Sequence, residues 1–154
     1  MSPQKPILIF ILLSSLLLAC MHNTSVSTYL EIHSLKNKFH SIIVLTEEGC
    51  PNCNSNLADV IAHSKFDSTL LVVNALGTVI DLTELRQNEM SNTIVYDYQE
   101  NYKELGLKGS GVILFNENLE VDSVIKIDAR DLVQQLEFVK NLSNEKKHKK
   151  NIVE

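Results

Sequence analysis

Ser41-Ile42-Ile43-Val44-Leu45-Thr46-Glu47-Glu48-Gly49-Cys50-Pro51-Asn52-Cys53 joins three local signals in thirteen residues. The run Ser41 to Thr46 is short and rich in β-branched and aliphatic side chains, which suits a strand buried on both faces. Gly49 ends it. Pro51 then marks the first turn of a helix, because the N–H that proline lacks would be unpaired there anyway. A helix is predicted over residues 51–64. On it Cys53, Leu57, Val60 and Ile61 recur at helical spacing as one apolar stripe, while Asn54, Ser55, Asn56 and Asp59 face elsewhere. This pattern places Cys53 inward and Cys50 at the helix tip.

That placement carries chemistry. A thiolate is the attacking species in disulfide exchange, and the unpaired N–H groups and positive dipole end of a helix N-terminus stabilise it. Two intervening residues bring Cys53 back beside Cys50 within the first turn. Cys50 is the candidate nucleophile and Cys53 the candidate resolving thiol, near enough to form a Cys50–Cys53 disulfide or to attack a mixed disulfide formed by Cys50.

Downstream, residues 70–73 read as a second buried strand. Asp81-Leu82-Thr83-Glu84 has capping-box spacing and opens a short helix through residue 86. Residues 93–96 form a third strand, and residues 97–105 a short helix stopped by Gly106. Residues 112–115 and 121–127 flank Asn116-Glu117-Asn118-Leu119, a hairpin signal. Asp128 caps a last helix with Leu132, Val133, Leu136, Val139 and Leu142 at helical spacing. Upstream, Leu30, Ile32, Leu35 and Phe39 suggest a helix over residues 29–39. Alternating strands and helices followed by a hairpin and a helix predict an α/β fold: a mixed central sheet with helices on both faces.

The first residues read as an address. Lys5 is followed by an apolar run over residues 7–18, broken only by Ser14 and Ser15, and no acidic residue precedes Glu31. About 20 apolar residues are needed to span a bilayer, so a run this short suits a cleaved signal. It closes on Leu17-Leu18-Ala19-Cys20, which resembles the lipobox of bacterial lipoproteins. The resemblance implies lipidation of Cys20 and cleavage before it, leaving a protein anchored to a membrane of the bacterial cell envelope by several acyl chains. Met21 stands where many inner-membrane members carry Asp, which favours the outer membrane facing the periplasm. The expected organisation is a lipoprotein signal peptide over 1–19, a lipidated tether over 20–28, one domain over 29–142 and a charged flexible tail over 143–154. Assigning Cys20 to lipid leaves Cys50 and Cys53 as the remaining thiols of the three cysteines.

Bulk composition agrees with one globular core: 154 residues, 44% hydrophobic and 21% charged. A net charge of -5 excludes an extended nucleic-acid surface, which needs concentrated Lys and Arg. The basic run Lys146-Lys147-His148-Lys149-Lys150 falls in the tail. Structural zinc needs four ligands, and there is no second cysteine pair. His63 stands alone in the sequence, and His22, His33 and His40 are not at paired spacing. No metal and no cofactor are expected. Tyr96, Tyr98 and Tyr102 read as packing or rim residues.

Set in this element order, the dithiol resembles that of the thioredoxin superfamily, in particular its exported thioredoxin-like branch related to peroxiredoxins. The resemblance covers residues 41–142. It rests on the strand before Gly49-Cys50-Pro51-Asn52-Cys53, the helix after it, and Tyr96-Asp97-Tyr98-Gln99-Glu100-Asn101-Tyr102-Lys103-Glu104-Leu105-Gly106-Leu107 leading into Val112-Ile113-Leu114-Phe115-Asn116-Glu117-Asn118. It implies a thioredoxin-like three-layer sandwich and thiol-disulfide exchange with a protein dithiol or disulfide partner. The substrate-facing surface would be Pro51 and Asn52 together with Gly109, Ser110 and Gly111.

Three departures stand out. The family's cis-proline before the last hairpin is replaced by Lys108-Gly109-Ser110-Gly111, the aromatic residue before the motif by Glu48-Gly49, and the buried acid six residues before the first cysteine by Val44. The peroxiredoxin pattern Pro-x-x-x-Thr/Ser-x-x-Cys is missing, since Thr46 lies four residues before Cys50. Glu47 and Glu48 beside Cys50 predict a less acidic thiol and a more reducing couple. The departures also suit an alternative: a non-catalytic binding module on a lipid anchor, with a structural disulfide.

Overall fold

Strand β1 (Ser41–Thr46) is buried at every position, as its unbroken apolar run requires of a central strand. The structure is a computed structural model that describes residues 26–35, 38–87, 92–128 and 130–150, the last nine of these by backbone alone. The residues expected as a signal peptide, Cys20 and most of the expected tether lie outside the described residues.

β1 pairs in parallel with β2 (Thr69–Asn74), Val44 opposite Val72, and β2 pairs in parallel with β3 (Thr93–Tyr96). On its other side β1 meets β4 (Gly111–Phe115) antiparallel, and β4 carries β5 (Val121–Lys126) as a hairpin. The result is a five-stranded mixed sheet ordered β3-β2-β1-β4-β5. Asn116 shapes the hairpin turn, its side-chain oxygen accepting from the N–H groups of Asn118 and Glu120.

Because strand side chains alternate, the sheet sorts its residues into two cores. Ile43, Leu45, Leu71, Val73 and Val112 face helix α2 (Pro51–Ala62), α3 (Thr83–Gln87) and α4 (Leu132–Lys150) through Leu57, Ile61, Leu85, Leu132, Leu136 and Val139. Ile42, Val44, Leu70, Val72, Ile113 and Phe115 face the other way, onto α1 (Val26–Ile32) and a 3-10 helix (Asn101–Leu105) through Val26, Tyr29, Leu30, Tyr102 and Leu105. The chain is thus a mixed α/β protein with helical segments against each sheet face.

Four sequence expectations need correction. The first helix begins at Val26, inside the expected tether, and stops at Ile32 instead of residue 39. Val26 and Tyr29 anchor it with no exposed surface. Ser34 (φ 54°) ends it: Ser34 N–H donates to Glu31 O and Leu35 N–H to Leu30 O, the paired bonds of a Schellman stop. Phe39 is buried from the loop beyond. The helix expected over 97–105 is a turn followed by one short 3-10 segment, because the Asp97 carboxylate captures Tyr102 N–H and the Asn101 side chain. Val133, assigned to the apolar stripe of the last helix, is 61% exposed. Finally, α4 runs to Lys150, through most of the residues expected as a flexible tail.

Candidate redox site at the tip of α2

The site forms where β1 ends and α2 begins. Gly49 takes φ 93°, a left-handed conformation that other residues adopt only at a cost, and turns the chain from strand into helix. Cys50 is the helix cap, with extended backbone and its sulfur accepting from Cys53 N–H at 3.3 Å. Pro51 occupies the first turn. Cys50, Pro51 and Asn52 are exposed, whereas Cys53 is partly buried. The two cysteines are joined as a disulfide, their Cα atoms 5.3 Å apart. An exposed leading cysteine and a partly buried trailing one within one helical turn match the inward and tip positions that the sequence pattern expected.

Neighbouring polar groups hold the backbone around this turn, and none was read from the sequence in its actual role. Asn54, expected on a polar face, is only 2% exposed; its side-chain amide donates to Glu48 O at 2.9 Å and ties the first turn of α2 to the loop before it. Val60, expected on the apolar stripe, is only partly buried, and the inward face is completed by Ala58 and Ala62. The inward stripe of α2 therefore runs through Asn54, Leu57, Ala58, Ile61 and Ala62.

Glu47 reaches sideways to the loop after β2. Its carboxylate accepts from the N–H groups of Leu76, Gly77, Thr78 and Val79 and from the Thr78 hydroxyl, at 2.8 to 3.3 Å. These donors, led by the Val79 N–H, pull its pKa down from the usual 4.5 to about 2. Glu48 pairs with Lys103 Nζ at 2.9 Å, and Lys103 also holds Glu100 at 2.8 Å. Those two carboxylates push the lysine pKa up, the Glu100 bond first. Both acids beside the dithiol are thus engaged, Glu47 by N–H and O–H donors that keep it ionised and Glu48 by the Lys103 ammonium.

On the facing loop, Ser110 is buried and turned back onto β1: its Oγ accepts from Thr46 N–H at 2.9 Å and donates to Thr46 O at 3.3 Å. Gly111 sits so close to the hairpin that a Cβ there would lie 2.6 Å from Ile125 O. A Cβ on Gly109 would stand 4.0 Å from Glu48 O, which places this loop against the turn that leads into Cys50. The loop expected to face a substrate is therefore next to the dithiol turn, but the Ser110 side chain serves β1 and does not point to solvent.

The acid missing from β1 has no counterpart at position 44, where Val44 is fully buried. A buried acid does occur at the end of β3: Asp97, 1% exposed, accepts from the Tyr29 hydroxyl at 3.2 Å and from Tyr102 N–H at 2.9 Å. Burial, and next the Asp97 charge, raise the Tyr29 pKa. Tyr98 is 53% exposed and stacks on Tyr96 with ring centroids 6.0 Å apart, whereas Tyr102 is fully buried; these are the rim and packing roles expected.

His63 is not alone. It caps the C-terminus of α2, and Asp59 and Glu84 lie against its ring. Sequence spacing contained half of this signal, since Asp59 and His63 are four apart on one helix; Glu84 arrives only through tertiary packing.

No protein-family model, curated protein or solved structure matches this chain. Among the described residues, no helix is long and apolar enough to cross a membrane.

Proposed function

We propose that this chain is an envelope thiol-disulfide oxidoreductase, anchored to a membrane through lipidated Cys20 and acting through Cys50 and Cys53. The observation that carries the reading is the exposed residue Cys50 at the N-terminal tip of α2, joined to the partly buried Cys53 one turn on. The thioredoxin-like three-layer arrangement belongs to the same proposal, supported by the mixed sheet, the helical segments on both faces and the dithiol at the strand-to-helix turn.

In the reducing direction Cys50, as thiolate, attacks one sulfur of a partner disulfide. A Cys50–partner S–S bond forms, the partner's own S–S bond breaks, and its second sulfur leaves as a thiolate. Cys53, after giving up its proton, attacks Cys50 Sγ; the Cys50–Cys53 bond re-forms and the partner leaves as a dithiol. The partner gains two electrons and this chain loses two, to be restored by a dithiol reductant. The helix terminus lowers the charge cost on Cys50. Pro51 and Asn52, exposed between the sulfurs, and the adjoining Gly109-Ser110-Gly111 loop would border the partner.

One observation favours the second reading, a lipid-anchored binding module with a structural disulfide. Ser110, which with Gly111 stands in the loop that replaces the family's partner-docking proline, is committed to Thr46. Insulin reduction by the full chain with a dithiol reductant separates the two. The oxidoreductase reading expects turnover that Cys50→Ser abolishes and a covalent partner adduct on Cys53→Ser in cells. An inert wild-type chain with no adduct leaves the binding module. For the anchor, Cys20→Ser is expected to move the protein out of the membrane fraction; unchanged membrane association would sink that part.

A further inference from the structure

His63 poses a chemical question that the dithiol does not answer. Its Nδ1 lies 2.9 Å from Asp59 O, and a carbonyl oxygen can only accept, so the proton of a neutral ring sits on Nδ1. The Nε2 lone pair then points toward Glu84 Oε2 at 3.3 Å. In the neutral ring two acceptors would then face each other at hydrogen-bond distance, an arrangement relieved by a proton on Nε2 or by a metal ion between them. The Asp59 carboxylate is the third candidate ligand: its Oδ1 lies 3.4 Å from His63 Nδ1, and one ligand atom from each of Asp59, His63 and Glu84 lies within 4.8 Å of the other two.

Two features favour a metal ion in that position. A ring nitrogen held by a backbone carbonyl, with the opposite nitrogen turned toward a carboxylate, is an orientation in which metal-binding histidines are fixed. Donors bonded to zinc at about 2.0–2.2 Å in a tetrahedron stand about 3.4 Å apart, which is the spacing that Nε2 and Glu84 already have. Asp59 and Glu84 also line a cleft of about 210 Å³ between α2 and α3, with Asp81 on the same wall; His63 is not among the residues that line it. Space and a further carboxylate are therefore at hand to complete the coordination sphere with water.

We propose that Asp59, His63 and Glu84 bind a divalent transition-metal ion of the zinc class, clasping α3 to the helix that carries the dithiol. An imidazole nitrogen with two carboxylate oxygens suits zinc or cobalt better than calcium or magnesium, which take all-oxygen sites. The competing cation is a proton. The Asp59 carbonyl first, and then the Glu84 charge, raise the His63 pKa, so metal uptake must displace that proton.

The test uses the full chain in detergent, oxidised and carrying Cys20→Ser so that no free thiolate competes. Zinc binding is followed by isothermal titration, and cobalt binding by visible absorption. The expected result is one ion per chain, tighter at pH 8 than at pH 6, with a rise in melting temperature at saturating zinc. His63→Ala should abolish the cobalt spectrum, and Glu84→Gln should weaken zinc binding by at least about tenfold. Both side chains are more than half exposed, so the variants retain the fold, which circular dichroism verifies. Wild-type titrations that superimpose on those of His63→Ala, or an affinity untouched by Glu84→Gln, would overturn the proposal and leave an imidazolium ion pair. Because the dithiol is oxidised throughout, the outcome is independent of the redox reading.

Discussion

At the scale of single residues, the dithiol is surrounded by side chains whose work is to hold backbone. Glu47 is the strongest case: one carboxylate terminates four backbone N–H groups of the loop after β2. Its folded-state pKa, about 2, lies below the ordinary 4.5, so the unfolded chain binds the proton more readily. The stabilisation is complete above about pH 4.5 and is lost as the pH falls from there toward 2. Glu47→Gln should therefore be less stable than wild type at pH 7, by about 1 kcal/mol once solvent screening is allowed for. The gap should close in thermal melts taken at successively lower pH, and a constant gap from pH 7 to pH 2.5 would contradict the assignment. Asn54→Ala removes the buried amide that holds Glu48 O, at a cost of about 1–2 kcal/mol in urea denaturation. It should also speed alkylation of reduced Cys53 by loosening the first turn of α2; an unchanged alkylation rate would mean that the turn is held elsewhere.

At the scale of elements, the antiparallel contact between β1 and β4 brings the loop 108–111 to the dithiol turn. Ser110 continues that contact with a side chain where the strand ladder has ended, satisfying the buried Thr46 N–H. Gly111 permits the close approach: an added Cβ would press on Ile125 O, a backbone atom that cannot swing aside, and on Leu107. Gly111→Ala should cost about 1–3 kcal/mol by overpacking, measured by the same denaturation. Stability equal to wild type would show that β5 yields. The segment after β3 makes the complementary point. Its helical-looking sequence is overruled by one buried acid, Asp97, whose bonds to Asn101 and Tyr102 leave room only for a 3-10 turn.

At the scale of the whole molecule, two apolar cores share one sheet, and the helix bearing Cys50 belongs to only one of them. Leu57, one turn beyond Cys53 and fully buried, locks α2 onto β1 and β2. Leu57→Ala should cost about 2–5 kcal/mol, the range for a buried leucine whose cavity only partly collapses. If α2 docks as a rigid unit, that variant should also lose the difference in alkylation rate between the two cysteines, and a preserved difference would show that the tip is organised locally.

What could be read from the chain alone was whatever depends on near neighbours and on periodicity. The buried strand before the motif, the helix opened by Pro51, the exposed Cys50 with Cys53 one turn inward, the hairpin around Asn116 and the last helix all follow from spacing, because backbone geometry within an element repeats with fixed period. The polar side chains that bridge elements could not be read in the same way. Asn54 looked like a surface residue, Glu47 and Glu48 like free charge beside a thiol, and His63 like an isolated histidine. Each acquired its role from groups 6 to 55 residues away: Asn54 from Glu48, Glu47 from the loop after β2, Glu48 from Lys103, and His63 from Glu84. A hydrogen bond or ion pair acts over a few ångströms of space and is indifferent to distance along the chain. Only the folded packing of strands and helices decides which donor meets which acceptor.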